Sequence, residues 1–232
     1  MSKKESVIQH IQHAKSLVFD SNTFLKVRVE RTFYIGEGLG GGNLLIALGL
    51  FSALSYLAKM YVLLSGYWKI PNLEEIQDAK EVYRQMDKNT QQYFFVKRQD
   101  QVNETDAFKR LLSDPNCPQN FGIDETDYPK VYSDIRNHLS HRILPNHGYV
   151  VVTFQTNENE ELAYGEVMQR IKESNKPVFE KNGNSVNCFV DLLGRDVEKI
   201  SDWLIWEINA GKFPEENIDE AYKWLEAEFE NK

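Results

Sequence analysis

The chain has 232 residues, 41% of them hydrophobic and 27% charged, with a formal net charge of -8. That length and composition describe one large globular domain with enough apolar mass to bury a sizeable core. The acidic balance excludes a general nucleic-acid coat, because affinity for phosphate backbones comes from Lys and Arg, though a local basic cleft on an acidic body stays compatible with it.

The N-terminal stretch MSKKESVIQHIQHAK is charged and periodic and lacks the apolar run of a secretory signal. From Ser6 to about Glu30, apolar residues recur at loosely helical spacing. The glycine cluster GEGLGG, Gly36 to Gly41, formally matches GxGxxG. A dinucleotide fingerprint also needs a βαβ unit and an acidic residue about 20 positions later. The chain has Lys59 in that zone, so a turn with Asn43 as helix cap is the simpler reading. Leu44 to Leu64 is long and apolar enough to span a bilayer. Yet it carries Ser52, Ser55 and Lys59 and has no basic cluster at either end. It reads as the buried central helix of a bundle, with no membrane partner.

Beyond Pro71, Asn72 can cap a helix from about Leu73 to Met86. A polar stretch with an aromatic knot follows, then a short helix from Asp106 to Leu112. DPNCPQNFGIDETDYP is a loop. Its Cys117, like Cys188, lacks CxxC or metal-ligand spacing, and the pair read as reduced thiols of a cytoplasmic protein. A helix over about 128–144 comes next and is stopped by Pro145. GYVVVTFQ is a strand, Leu162 to Ser174 a helix, and VFEKNGNSVNCFV a hairpin with Asn-Gly at its turn. Gly194 to Ala210 is an amphipathic helix and Asp219 to Phe229 a final one. In that amphipathic helix Trp203 falls on the apolar face, and Trp203 and Trp206 together are candidates for a base-stacking platform. Glu160, Glu161 and the acidic tail read as solvated surface. The fold class is therefore mainly α: a single domain over 1–232, with a helical bundle over 1–147. A small β element and two or three C-terminal helices fill 148–232.

The chemistry concentrates in IRNHLSHRILPNHG, Ile135 to Gly148, which holds three of the five histidines. Three readings fit it. Arg136, His138, His141 and Arg142 near a helix C-terminus complement its dipole. Asp134, His138 and His141 at i, i+4 and i+7 present two histidines and a carboxylate on one face, a donor set for Zn or non-haem Fe in a metal-dependent hydrolase. Metal-free RNA cleavage needs a base for the ribose 2′-OH, which a histidine supplies, and a fixed cation for the charge developing on phosphorus, which an arginine supplies. Arg136 and His141 are separated by about 140° on an ideal helix, so one copy arranges them poorly.

RNHLSH, Arg136 to His141, resembles the RNxxxH form of the motif of HEPN-domain proteins. The resemblance implies a helical bundle and a metal-independent endoribonuclease, needing no cofactor, of the toxin or abortive-infection kind. It implies Arg136 and His141 as the catalytic pair, with Asn137 orienting them. His138 and Arg142 would be further phosphate contacts. It also implies RNA as substrate, an antitoxin protein as a partner, and a homodimer that brings two copies of the motif into one cleft. Some relatives are non-catalytic interaction modules, which is the main alternative.

Overall fold

The computed structural model describes residues 1–30, 40–67, 104–142, 148–152 and 164–230. Within them the chain is mainly helical with one small sheet. The expected helix after Pro71, the aromatic knot, Pro145, His147, Glu160 and Glu161 lie outside the described residues.

Helix α1 (Lys3–Glu30) and helix α2 (Gly40–Leu64) form the base of the bundle. Leu50, Phe51, Leu54, Leu57, Met60, Leu63 and Leu64 of α2 are all fully or almost fully buried. These positions cover most of the helix circumference, as expected of an element largely enclosed by others, and leave a strip with Leu45 and Ser52 exposed and Lys59 half-buried. Its neighbours are α1, helix α3 (Glu104–Leu112), and two later helices, α7 (Val190–Asn209) and α8 (Glu215–Glu230). The segment Asn43–Leu64 has the length and hydropathy of a membrane span, but 61% of its apolar window is buried inside the protein. The helix begins at Gly40, so Asn43 sits within it and does not cap it. At its other end Gly66, at φ 71, turns the chain away. There Asn217 Nδ2 of α8 donates to the Leu64 carbonyl at 2.9 Å, satisfying a C-terminal acceptor.

After α3 the loop is pinned rather than loose. Asp114 Oδ1 accepts the Asn116 N–H at 2.7 Å in an Asx turn. Gln119 Nε2 donates to the Tyr128 hydroxyl, and its Oε1 accepts the Phe121 N–H. Asn120 and Phe121 accept backbone bonds from Val178 and Phe179. The loop leads through a 3₁₀ turn (Glu125–Asp127) into α4 (Tyr128–Val131), a π-helical segment (Tyr132–Asn137) and α5 (His138–Arg142). The expected uniform α-helix is thus corrected. Tyr128, Val131, Tyr132, Ile135 and Leu139 are buried at spacings of three and four, a pattern that does not reveal a wider turn.

Strand β1 (Tyr149–Val152) pairs in parallel with β3 (Ser185–Phe189), and β2 (Phe179–Asn182) pairs antiparallel with the same strand. The sheet order is β1-β3-β2, so the lone strand and the hairpin expected from the sequence form one sheet. Asn182 still pairs, and the tight turn is made by Gly183, at φ 59, and Asn184. Helix α6 (Tyr164–Glu173) links β1 to β2. Helix α7 starts four residues earlier than its amphipathic pattern suggests, because Val190 to Val197 are buried on every side. Helices α7 and α8 pack on both α1 and α2. The C-terminal third therefore completes the bundle rather than following it, and one continuous core runs from Val7 to Leu225.

Two features hold the motif segment in place. Beneath it lies an aromatic cluster, with ring centres 5.0 Å apart for Phe108 and Tyr132, 6.1 Å for Phe108 and Phe121, and 5.5 Å for Phe121 and Phe179. Each such pair adds about 0.5–1.5 kcal/mol beyond area burial. The second is a buried ion pair on α7. Arg195 Nη2 lies 2.7 Å from Asp196 Oδ1, and Asp196 Oδ2 accepts the Asn120 N–H at 2.7 Å. Arg195 Nη1 donates to the Ser174 carbonyl at 2.6 Å. One charged pair thereby ties α7 to the loop before the motif and to the end of α6.

Candidate functional site

The π-helical turn delivers Arg136 to a half-buried position facing α2 and α3. Its Nη2 is 3.3 Å from Glu104 Oε2, and its Nη1 donates to Asn137 Oδ1 at 3.1 Å. Its Cζ stands 5.7 Å from the centre of the Tyr132 ring. Its Nε is buried and meets no acceptor among the described residues.

Glu104, the first residue of α3, is the hub. Its Oε1 accepts from Lys59 Nζ at 2.9 Å, and its Oε2 accepts from the Tyr132 hydroxyl as well as facing Arg136. A carboxylate only accepts, so the single Tyr132 proton goes to Glu104. The contact of 3.1 Å between Tyr132 and Ser55 is then made by the Ser55 hydroxyl donating to the phenol oxygen. Burial alone would raise the Glu104 pKa. The hydrogen bonds from Tyr132 and Lys59, with the charges of Lys59 and Arg136, outweigh it and hold the carboxyl below its ordinary value. Burial, reinforced by the Glu104 hydrogen bond, pushes the Tyr132 phenol well up, so it stays a proton donor.

Of the expected site residues, the structure joins Arg136 and Asn137 directly. His138 is half-buried, and His141 is exposed one turn further on. No hydrogen bond or ion pair joins His141 to Arg136, in keeping with their angular separation on a helix. Arg142 continues α5 in its backbone. Ser140 Oγ donates back to the Asn137 carbonyl at 2.9 Å, fastening the turn between the two candidate catalytic residues. Asp134 is half-buried, and burial together with the charges of Asp134 and Asp127 raises the Tyr149 phenol on β1. Among the described residues no three His, Cys, Asp or Glu side chains come together to hold a metal ion. Asp134, His138 and His141 share a segment without forming such a group.

Glu104, Tyr132, Ser55 and Lys59 are absent from the sequence-derived site. Lys59 carried a signal nonetheless, since a charge inside an apolar helix requires a partner. It stands where a dinucleotide fingerprint would need an acid, and it pairs with one instead. Trp203 packs against the core at 5.9 Å from Tyr61, with its Nε1 donating to Glu207. Trp206 is 57% exposed, and Lys212 lies over its ring. The two do not form a shared platform. A cleft of about 500 Å³ opens at the far end of α3, between Tyr61, Tyr67, Lys109, Arg110, Asp114 and Glu125. Arg110 already covers the Tyr67 ring at 4.6 Å, and neither Arg136 nor His141 reaches this cleft.

A scan against protein-family models, a search of curated proteins and a search of solved structures each find no match to the chain.

Proposed function

We propose that the chain is a metal-independent endoribonuclease of HEPN type, acting in the cytoplasm in prokaryotic defence or as a toxin held by an antitoxin protein. The observation that carries this reading is a half-buried Arg136 guanidinium, oriented by Glu104 and Asn137, on the same short helical segment as an exposed His141. His141 takes the proton from a ribose 2′-OH, whose oxygen attacks the adjacent phosphorus. Arg136 balances the charge that grows on the phosphoryl oxygens, the P–O5′ bond breaks, and the leaving 5′-oxygen takes a proton from water to become a hydroxyl. The products are a 2′,3′-cyclic phosphate and a 5′-OH end. His138 and Arg142 add phosphate contacts along the strand. A homodimer supplies the His141 of one copy to the Arg136 of the other, which removes the angular problem within a single chain.

A second reading has its own support. Glu104 already neutralises part of the Arg136 charge, as suits a non-catalytic interaction module in which the motif is a structural joint. The two readings part on one experiment: a labelled RNA pool incubated with the protein in EDTA, beside His141→Ala and Arg136→Ala. The nuclease reading expects cyclic-phosphate ends from the wild type and a loss of about 10²–10⁴-fold in rate from His141→Ala. Absence of cleavage by the well-folded wild type removes it in favour of the module.

A further inference from the structure

We propose that Lys59 is a second phosphate-binding residue of the motif site, contributed by the central helix, with Glu104 as the shared counter-ion that presents Lys59 and Arg136 side by side. The inference rests on the RNA-binding reading of the motif and extends it to a residue outside the motif.

Lys59 interrupts a helix whose adjacent residues Ala58 and Met60 are completely buried. Its side chain is 23% exposed, so Lys59 is not sealed in the core, and its ammonium lies against Glu104 beside the motif. It contacts one oxygen of Glu104 at 2.9 Å while Arg136 contacts the other at 3.3 Å. The two cationic heads are therefore separated by no more than one carboxylate. The non-bridging oxygens of a phosphodiester share one negative charge between two acceptors, as that carboxylate does, and offer an acceptor to each cation. Two cations against one anion leave the trio with an excess positive charge, on a chain whose net charge is -8. Among the described residues the ammonium bonds only Glu104 and the guanidinium only Glu104 and Asn137, so each has further N–H donors to offer. As a stability device the trio is weak, because partly exposed ion pairs contribute little. As a phosphate clamp it has the needed features: fixed cations, a rigid helix beneath them, and a counter-ion that keeps them close when no ligand is bound.

The test separates binding from cleavage by using full-length protein carrying His141→Ala. Its affinity for a fluorescein-labelled single-stranded RNA is read by anisotropy over a range of salt concentrations. Lys59→Gln, which keeps a donor toward Glu104 but removes the charge, is expected to weaken binding about tenfold and to lower the salt slope by about 0.7, the loss of one phosphate contact. Lys59→Arg is expected to stay within about threefold of the parent, because the charge is kept. If Lys59→Gln leaves affinity and slope unchanged while Arg136→Ala weakens binding, Lys59 is structural and the inference fails, with the nuclease reading intact. If the parent binds no RNA, both fall. A second measurement does not depend on the folding of Lys59→Gln. The wild type, labelled with ¹³C at lysine Cε, is titrated with inorganic phosphate, and the Lys59 signal is assigned by its loss in Lys59→Arg. A saturable shift of that signal supports the clamp, and its absence overturns it.

Discussion

Replacing Asp196 with alanine tests how the motif segment is held. Asp196 is fully buried, accepts one hydrogen bond from Arg195 Nε and one from the Asn120 N–H, and also pairs with Arg195 Nη2 at 2.7 Å, with no access to water. Its removal leaves a guanidinium that is only 2% exposed without its counter-charge. It also leaves a backbone donor without its acceptor. Breaking a buried pair from one side costs about 3–5 kcal/mol, most of it the penalty of the stranded charge. Arg195 keeps its bond to the Ser174 carbonyl, so the lower part of that range is expected. For a chain of this size each kcal/mol lowers Tm by roughly 2–4 °C, giving a drop of about 6–16 °C. Calorimetry and urea titration of the wild type, Asp196→Ala, Arg195→Met and the Arg195→Met/Asp196→Leu double variant measure it. The double variant is expected to recover much of the loss, since an apolar pair strands no charge, with a coupling of about 2 kcal/mol or more. A loss below about 1 kcal/mol for Asp196→Ala, or strictly additive single effects, would refute the stranded-charge argument.

Other outcomes follow from single contacts. Gly122→Ala adds a Cβ 2.3 Å from Pro177 Cβ at a residue with φ +72, so a loss of about 3 kcal/mol or more is expected in urea titration, and a near-neutral variant would show that the loop yields. Glu104 has a depressed folded pKa, so its contribution is fully present above its unfolded value and is lost as pH falls through the folded one. The urea-midpoint gap between wild type and Glu104→Gln should accordingly be widest above about pH 5 and close in more acid solution, whereas a gap constant with pH contradicts the network. Cys117 and Cys188 are free and buried, and burial pushes both thiols up, so a thiol reagent should label neither until the chain is unfolded. Rapid labelling of either in the native protein would contradict their placement.

Much of the architecture is legible in the residues alone. Periodicity gives the N-terminal helix, α3 and the final helices, because burial of one face marks spacing, and the long apolar run gives α2, because burial of most of a helix marks composition instead. The hairpin is equally plain, since the Asn-Gly step at Asn182 and Gly183 signals a turn, which the structure makes at Gly183 and Asn184. Other features leave no such mark. The π-helical turn uses the same three-and-four spacing as an α-helix. The parallel pairing of β1 with β3 joins strands more than thirty residues apart, and local sequence carries no record of such a partner. The early start of α7 was concealed because a helix buried on all sides has no amphipathic contrast.

The candidate site divides in the same way. The sequence by itself determined which groups are available: two arginines, an asparagine and two histidines gathered on one short segment, and a lone lysine inside an apolar helix. Residue type and spacing are local properties, and they sufficed to suggest phosphate chemistry. Only the tertiary structure decided which of those groups meet. It brought Glu104 of α3 against Arg136 and Lys59 of α2 against Glu104, across sequence separations that no periodicity encodes, and it left His141 at the surface. The physical reason is that a charge's partner is chosen by the packing of the helices that carry it. The aromatic cluster beneath the motif and the Arg195–Asp196 tie behind it, rather than the motif itself, set where those helices lie.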